Sequence, residues 1–377
     1  MSLSASFLDS KNAGFLYKSK VFAGILSKKA FVGPYVVVIG GKYTCNYKCV
    51  FCEWFSSIGK KLGEEINADC YVNLDVYRNI VRELRGLGTK IVLIDYLEPF
   101  TDSDLIEKIE IAKQTNLKCI VITNGSLIDE QNAEKLVNLK LDYLNISINA
   151  GKAETYPLIH LTETEQTFER IVSMIKLIQK LKKQKRTIFP QIRLSIVVCN
   201  RNYQEIERFV ELCNETGVKN ALIKKMVPTS KEIADELDLT CEQEKEIKEN
   251  LAQALKTAKK HKINVDIEWG DSLDSKNAQN LPCYYGWLFS FVDVSGYVHP
   301  CCFQDRDPNC SMGNIREDSF TNLWFSEKYR DFRKNYRSID KRRKMGCQCN
   351  HPSCFSNNQQ IYKILHESYL LPITYGK

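Results

Sequence analysis

The chain has 377 residues, 44% of them hydrophobic and 26% charged, with a formal charge of +7. That length suits one large α/β unit with an appendage, and the composition excludes a disordered, collagen-like or coiled-coil protein. So small a positive surplus leaves no nucleic-acid footprint, no run reaches the roughly 18 apolar residues of a membrane span, and no signal-peptide pattern opens the chain, so a cytoplasmic protein is expected.

Residues 1–34 read as a helical lead-in. Phe15, Phe22, Ile25 and Leu26 recur at helical spacing among Lys18, Lys20, Lys28 and Lys29. Such a helix is expected to pack on the domain that follows, although a basic amphipathic helix also suits peripheral contact with a membrane surface. Residues 35–270 then alternate. Runs rich in Val and Ile at Tyr35–Ile39, Lys90–Ile94, Lys118–Thr123, Tyr143–Ile148, Ile192–Cys199 and Ala221–Met226 predict strands. Helical patterns near 73–86, 103–115, 129–138, 165–186 and 203–216 separate them. Thr162 with Glu165 reads as a capping box, and Gly217 as a helix stop. Six such units predict a parallel sheet buried on both faces, either doubly wound or an incomplete barrel. A longer helix opens at Thr240 and Gln243 and runs to about His261, followed by a strand-like stretch, Asn264–Trp269. Residues 271–280 read as a linker, and 271–377 as a small C-terminal domain. Its segment WLFSFVDVSGYVHP predicts a β-hairpin turning at Ser295–Gly296.

Fifteen cysteines is a high and odd number. Cys70, Cys119, Cys199, Cys213 and Cys241 are scattered, and the bland reading for each is a small hydrophobe. The others cluster, which in a reducing compartment points to metal. Cys45, Cys49 and Cys52 follow the first strand with the spacing C-x3-C-x2-C. Three thiolates on one short loop suit a [4Fe–4S] cube with one iron left open. Zinc is the metal alternative, but it wants a fourth ligand and this loop has no histidine. A barrel places its chemistry at the C-terminal ends of its strands, where this loop lies.

On this motif the sequence resembles the radical S-adenosylmethionine (SAM) superfamily over about residues 35–230. The resemblance implies an incomplete (β/α)6 TIM-like barrel. Its [4Fe–4S] cluster, held by Cys45, Cys49 and Cys52, binds SAM and cleaves it reductively. The resulting 5′-deoxyadenosyl radical takes a hydrogen atom from a substrate. Tyr96–Pro99 stands where the family has Gly-Gly-Glu-Pro, which implies that Glu98 accepts from the SAM amino group. Thr123, Asn124 and Gly125, then Ser147 and Asn149, would face the methionine part and the ribose. Phe51 would lie against adenine, and Asn200 or Asn202 would add polar contacts.

The C-terminal region, with Cys283, Cys301, Cys347, Cys349 and Cys354, resembles the SPASM/twitch extension of these enzymes. It implies one auxiliary [4Fe–4S] cluster held by Cys283, Cys301, Cys347 and either Cys349 or Cys354. Cys302 and Cys310 are expected to be free thiols, and zinc at Cys347, Cys349, His351 and Cys354 is the structural alternative. The run Lys328–Lys344, with nine Lys or Arg, is expected to be a solvated helix face, or to guide an anionic partner. Lys224 and Lys225 could meet substrate or form a rim. The resemblance further implies a flavodoxin- or ferredoxin-type reductant. The expected reaction is dehydrogenation of a small sugar-like or envelope-related molecule. A peptide or protein maturase is the alternative, set lower because only about 34 residues precede the barrel. A non-catalytic zinc or iron–sulfur module is the rival from another class.

Overall fold

The computed structural model describes residues 14–56, 58, 71–95, 97–269, 282–301 and 311–345. Seven parallel strands run in chain order: β1 (Val36–Ile39), β2 (Ile91–Ile94), β3 (Lys118–Thr123), β4 (Tyr143–Ser147), β5 (Gln191–Val198), β6 (Asn220–Lys225) and β7 (Asn264–Glu268). They pair strictly with their sequence neighbours, so the order never reverses. A doubly wound sheet needs such a reversal, and the partial barrel is therefore the correct choice of the two. The stretch at 264–268 extends the six expected strands to seven.

The helices between strands are α1 (Phe15–Ser27, before β1), α2 (Leu74–Gly86), α3 (Leu105–Gln114), α4 (Glu130–Asn138), α5 (Tyr156–Ile159), α6 (Glu165–Gln184), α7 (Ile206–Glu215), α8 (Lys231–Leu237) and α9 (Cys241–His261). Thr240 and Gln243 form the reciprocal capping box at α9. The one expected at Thr162 does not form: Thr164 is the cap of α6 and makes no side-chain capping bond. Gly217 takes φ +71° just past α7, as a helix stop should.

One face of α1 packs inward through Tyr17, Val21, Gly24 and Ile25. Phe15 and Leu26, expected on that face, are instead 83% and 67% exposed. No helix among the described residues is long and apolar enough to cross a membrane.

The C-terminal region joins the same sheet. After α10 (Tyr285–Leu288), β8 (Phe289–Val292) pairs parallel with β1, and β9 (Val298–His299) returns antiparallel to β8. Gly296 turns this hairpin at φ +88°, a conformation that favours glycine. Helices α11 (Phe320–Phe325), α12 (Glu327–Lys334) and α13 (Ile339–Lys344) cover it. Trp287 Nε1 donates to Lys29 O at 2.7 Å and Trp324 Nε1 to Val32 O at 2.9 Å, tying this region to the lead-in. The basic run here is not wholly solvated. Arg333 is buried, donates to Gly286 O and Trp324 O, and lies 4.4 Å from the Trp324 ring. Arg342 is buried as well and donates to the Tyr336 carbonyl.

A buried ion pair supports the start of the site. Lys108 Nζ lies 2.6 Å from Asp102 Oδ2, with side chains only 1% and 5% exposed. The same Asp102 oxygen stands where a side chain on Gly41 would meet it at 3.2 Å, so it lies directly behind the loop that follows β1. Asp102→Asn leaves the Lys108 charge buried without its counter-ion. It is expected to destabilise the fold by about 3–5 kcal/mol, read by urea denaturation. An unchanged unfolding midpoint would argue that this pair is not a structural anchor.

Candidate active site at the strand ends

The loop after β1 carries Cys45, Cys49 and Cys52, all partly buried and none in a disulfide. Cys52 N donates to Cys49 O and Ser56 N to Cys52 O, both at 3.0 Å, giving two tight successive turns. Burial pushes the Cys45 thiol up to about 12, Cys49 well above its usual range and Cys52 upward as well; neighbouring cysteines raise Cys45 and Cys49 further. Three thiolates here repel one another in a poorly solvated place, so they need a cation to ionise together. Iron supplies one, and the three-thiol donor set fits the open [4Fe–4S] group. The described residues hold no three Cys, His, Asp or Glu side chains already gathered at metal-binding distance.

Two neighbours tie this loop to the barrel. Asn46 Nδ2 donates to Ser126 Oγ at 2.9 Å, and Asn124 Nδ2 donates to Asn46 Oδ1 at 2.9 Å. Thr44 and Thr101 hydroxyls share a hydrogen bond of 2.5 Å, and Glu98 N donates to Thr44 O at 3.1 Å. The ends of β1, β2 and β3 are thus joined through side chains as well as through the sheet.

Glu98 is fully buried. Its Oε1 accepts from Thr123 Oγ1 at 2.6 Å and Phe100 N at 3.0 Å, and its Oε2 accepts from Asn124 N at 2.7 Å. Burial raises its carboxyl pKa, against the pull of those three donors. The carboxylate therefore first clamps the β2 and β3 ends, leaving Oε2 with capacity for a further donor. Leu97, at one of the positions where the resembled family has glycine, takes φ +55°. The backbone keeps the left-handed conformation although the residue has a side chain.

At the next two strand ends the polar groups are turned onto backbone. Asn149, at φ +55°, accepts from Val197 N at 3.0 Å through Oδ1. Asn202 donates to Asn149 O at 2.8 Å and to Val197 O at 2.9 Å, and accepts from Cys199 N at 2.9 Å. Ser147 Oγ lies 3.3 Å from Ser195 Oγ. Phe51 packs on a small apolar cluster with Val50, Ile159 and Met226.

Sequence reasoning missed His160. It follows α5, and its Nδ1 lies 3.1 Å from Cys49 Sγ, with Nε2 3.3 Å from Ile148 O. Burial pulls its pKa down to about 4, so the ring is neutral at neutral pH. Tyr47 and Tyr156 enclose it, with ring centroids 5.1 and 4.5 Å away and their hydroxyls 2.8 Å from each other. Nothing local in the sequence marks His160, because 111 residues separate it from Cys49.

In the C-terminal region, Cys283 is buried and donates its N–H to Tyr336 O at 2.8 Å; Cys301 is half-buried just beyond β9. Cys302, Cys310, Cys347, Cys349, His351 and Cys354 lie outside the described residues. Of the scattered cysteines, Cys119, Cys199 and Cys213 are buried as expected, Cys241 is exposed, and Cys70 lies outside the described residues.

Paired residues of a sheet share a face. On one face of β4–β6, Leu144, Ile146, Leu194, Ile196 and Ile223 belong to the apolar core. The other face is polar. Arg193 Nε donates to Asn145 at 3.2 Å and its NH1 lies 3.7 Å from Asp266; Lys224 Nζ lies 3.7 Å from Glu268. The Lys224 side chain is 23% exposed, and partial burial pulls its pKa down. Asp95, at the end of β2, feels the Lys224 charge and is itself pushed up by burial. Arg193 is pulled down to about 10 for the same reason. Lys224, Glu268 and Asp95 thus bring charges of both signs to the C-terminal ends of the strands, while Arg193, paired with the first residue of β6, lies toward the opposite end.

Comparison with known proteins agrees with this geometry. Residues 42–213 match the radical SAM superfamily, and residues 283–354 match SPASM, an iron–sulfur cluster-binding domain. The chain is 27% identical to an AdoMet-dependent heme synthase of Methanosarcina barkeri, over 74% of this chain and 79% of that protein. It is 22% identical to a probable GTP 3′,8-cyclase of Methanocaldococcus jannaschii, over 69% of this chain and 82% of that one. In fold it resembles Streptococcus suis SuiB bound to S-adenosylmethionine, with a TM-score of 0.65 at 15% identity, covering 86% of this chain and 73% of that one. The matched radical SAM domain brings a [4Fe–4S] cluster and SAM, and the SPASM domain brings an auxiliary iron–sulfur cluster. With the cysteine loop at the end of β1, the parallel partial barrel and the cysteine-bearing hairpin, these matches give the chain a radical SAM domain over residues 42–213 and a SPASM iron–sulfur domain over residues 283–354.

Proposed function

We propose that the chain is an oxidoreductase that removes a hydrogen atom from a small polar molecule held in the barrel lumen. The observation that carries this is the set of charged lumen groups, Lys224, Glu268, Arg193 and Asp95, set in a place of low solvation. Lys224 and Arg193 are compensated by Glu268 and Asp266, and titratable groups with shifted pKa values set in such a cleft support a site for a polar ligand. The relatives include a heme synthase and a probable GTP cyclase, which supports a small molecule over a peptide chain.

The [4Fe–4S] group, when bound, supplies the electron that cleaves SAM. The rest is work of this chain. Cys45, Cys49 and Cys52 hold the cluster. Glu98 fixes the β2 and β3 ends, so that the SAM-facing backbone of Thr123 and Asn124 has one position, and it offers Oε2 to the SAM amino group. Asn149 and Asn202 lock the β4 and β5 ends, and with Ser147 and Phe51 they complete the SAM wall. Lys224 orients the substrate by its charge.

The test is anaerobic reconstitution followed by dithionite and SAM. The expected result is about eight iron per chain, for two cubanes, and slow release of 5′-deoxyadenosine. Zinc in place of iron, with no SAM cleavage, would sink the reading in favour of a non-catalytic metal module. Lys224→Met is expected to leave that slow uncoupled cleavage within about twofold. Substrate-stimulated cleavage should fall at least about tenfold, the loss of roughly 1.4 kcal/mol of binding. Equal loss of both activities would place Lys224 in the SAM site instead.

A further inference from the structure

Helix α1 is apolar on both sides. Its inner face, with Tyr17, Val21, Gly24 and Ile25, is buried against the barrel. A helix that buries one face is ordinarily polar on the other. Here the outer face carries Phe15, the half-buried Phe22 and Leu26, which fall on one stripe at helical spacing. Leu16, 68% exposed, and the exposed Ala23 widen it. At about 100° per residue, Lys18 borders one side of this stripe and Lys20 the other. Lys28 and Lys29 stand exposed at its C-terminal end. Residues 14–33 contain no Asp or Glu.

A second basic element lies close to this end of the helix. Tyr336 packs edge-on against Trp287, with ring centroids 5.4 Å apart, and Trp287 Nε1 donates to Lys29 O. The run that follows Tyr336 exposes Arg337, Lys341, Arg343 and Lys344, with Asp340 as the one acid among them. Lysines alone would suit any anionic surface. The exposed Phe and Leu between them ask for an apolar phase directly behind the negative charge. A lipid bilayer presents the two in that order, headgroup phosphates outside and acyl chains within. Lysine stems also reach outward from a helix lying at this boundary, so that both demands are met together.

We propose that α1 docks the protein on an anionic lipid bilayer, with Phe15, Phe22 and Leu26 at the headgroup boundary and Lys18, Lys20, Lys28 and Lys29 at the phosphates. The helix packs at the N-terminal end of β1: Tyr17 Oη donates to Gly33 O at 3.0 Å, and its ring lies 5.8 Å from that of Tyr35, the residue before β1. The cysteine loop leaves the opposite end of that strand. Docking through α1 therefore holds the protein at a membrane without covering the SAM site.

The test is co-sedimentation of the reconstituted full chain, kept anaerobic, with vesicles of equal parts phosphatidylglycerol and phosphatidylcholine. The protein is expected to sediment with these vesicles, to stay largely in solution with pure phosphatidylcholine, and to be released as salt rises. A lysine near an anionic surface is worth about fivefold in partition, so Lys18→Gln with Lys20→Gln should weaken binding at least about tenfold. Phe15→Ser with Leu26→Ser should weaken it at least about tenfold as well, through the apolar contact. Both pairs lie outside the core, so the urea midpoint and the slow uncoupled release of 5′-deoxyadenosine should not change. No binding to the mixed vesicles overturns the proposal. Full binding by the Phe15→Ser, Leu26→Ser variant overturns it too, because the stripe would then have no part in it. A chain that is dimeric without lipid and made monomeric by that same variant would show that a second copy covers this face, which also overturns it.

Discussion

Replacing Cys52 by alanine is expected to remove the SAM-cleaving cluster and to reduce 5′-deoxyadenosine formation at least about a thousandfold, roughly 4 kcal/mol in barrier terms. The iron content should fall from about eight to about four per chain, because the auxiliary site is built from other residues. The physical reason lies in the loop. Its thiols are driven strongly toward the protonated form by burial and by one another. Only a cation shared among them reverses that, and two remaining thiols do not hold a cubane. Iron analysis with the 5′-deoxyadenosine assay checks both parts. Retention of all iron with full activity would show that Cys52 is not a ligand.

Glu98→Ala should have the second largest effect, and it acts on two observables at once. Three donors, Thr123 Oγ1, Phe100 N and Asn124 N, converge on this carboxylate at 2.6–3.0 Å. Each left unsatisfied in the interior is unfavourable by about 1–3 kcal/mol, so with some relaxation the loss of stability is about 3–5 kcal/mol. The clamp between the β2 and β3 ends goes with it, and SAM affinity should fall at least about tenfold. Urea denaturation and calorimetric titration with SAM under anaerobic conditions measure the two effects separately. Weakened SAM binding at unchanged stability would mean that Glu98 acts only as a direct contact. Unchanged SAM binding would remove it from the site altogether.

The strands were legible because each is a short apolar run between helical patterns, and burial on both faces needs such runs. The first cysteine loop was legible because all three side chains lie within eight residues. What distance in sequence hides was not legible. His160 reaches Cys49 across a long interval, and the polar lumen depends on register between strands, as in Lys224 opposite Glu268. Composition also misled at two places. The run Lys328–Lys344 reads as solvated, but Arg333 and Arg342 turn inward to carbonyls that no charge pattern reveals. Thr162 had the right spacing for a cap, yet the helix begins from Thr164. Glu98 shows a third kind of loss, because a motif position predicts a contact but not the three backbone and side-chain donors that it must satisfy first.

The pairing of β1 with β8 has a consequence for how the molecule is made. Val36–Ile39 leaves the ribosome long before its partner Phe289–Val292. Until some 250 further residues have been added, one edge of β1 has no strand to bond and remains open to any other extended chain. Pairings of such large sequence separation close late and slowly. The SAM-site loop leaves β1 directly, so it can be shaped by β2 and β3 well before the hairpin docks. The order of synthesis therefore favours assembly of the SAM site ahead of the auxiliary one. It also makes the unfinished β1 edge the place where a truncated or stalled chain is most exposed to aggregation.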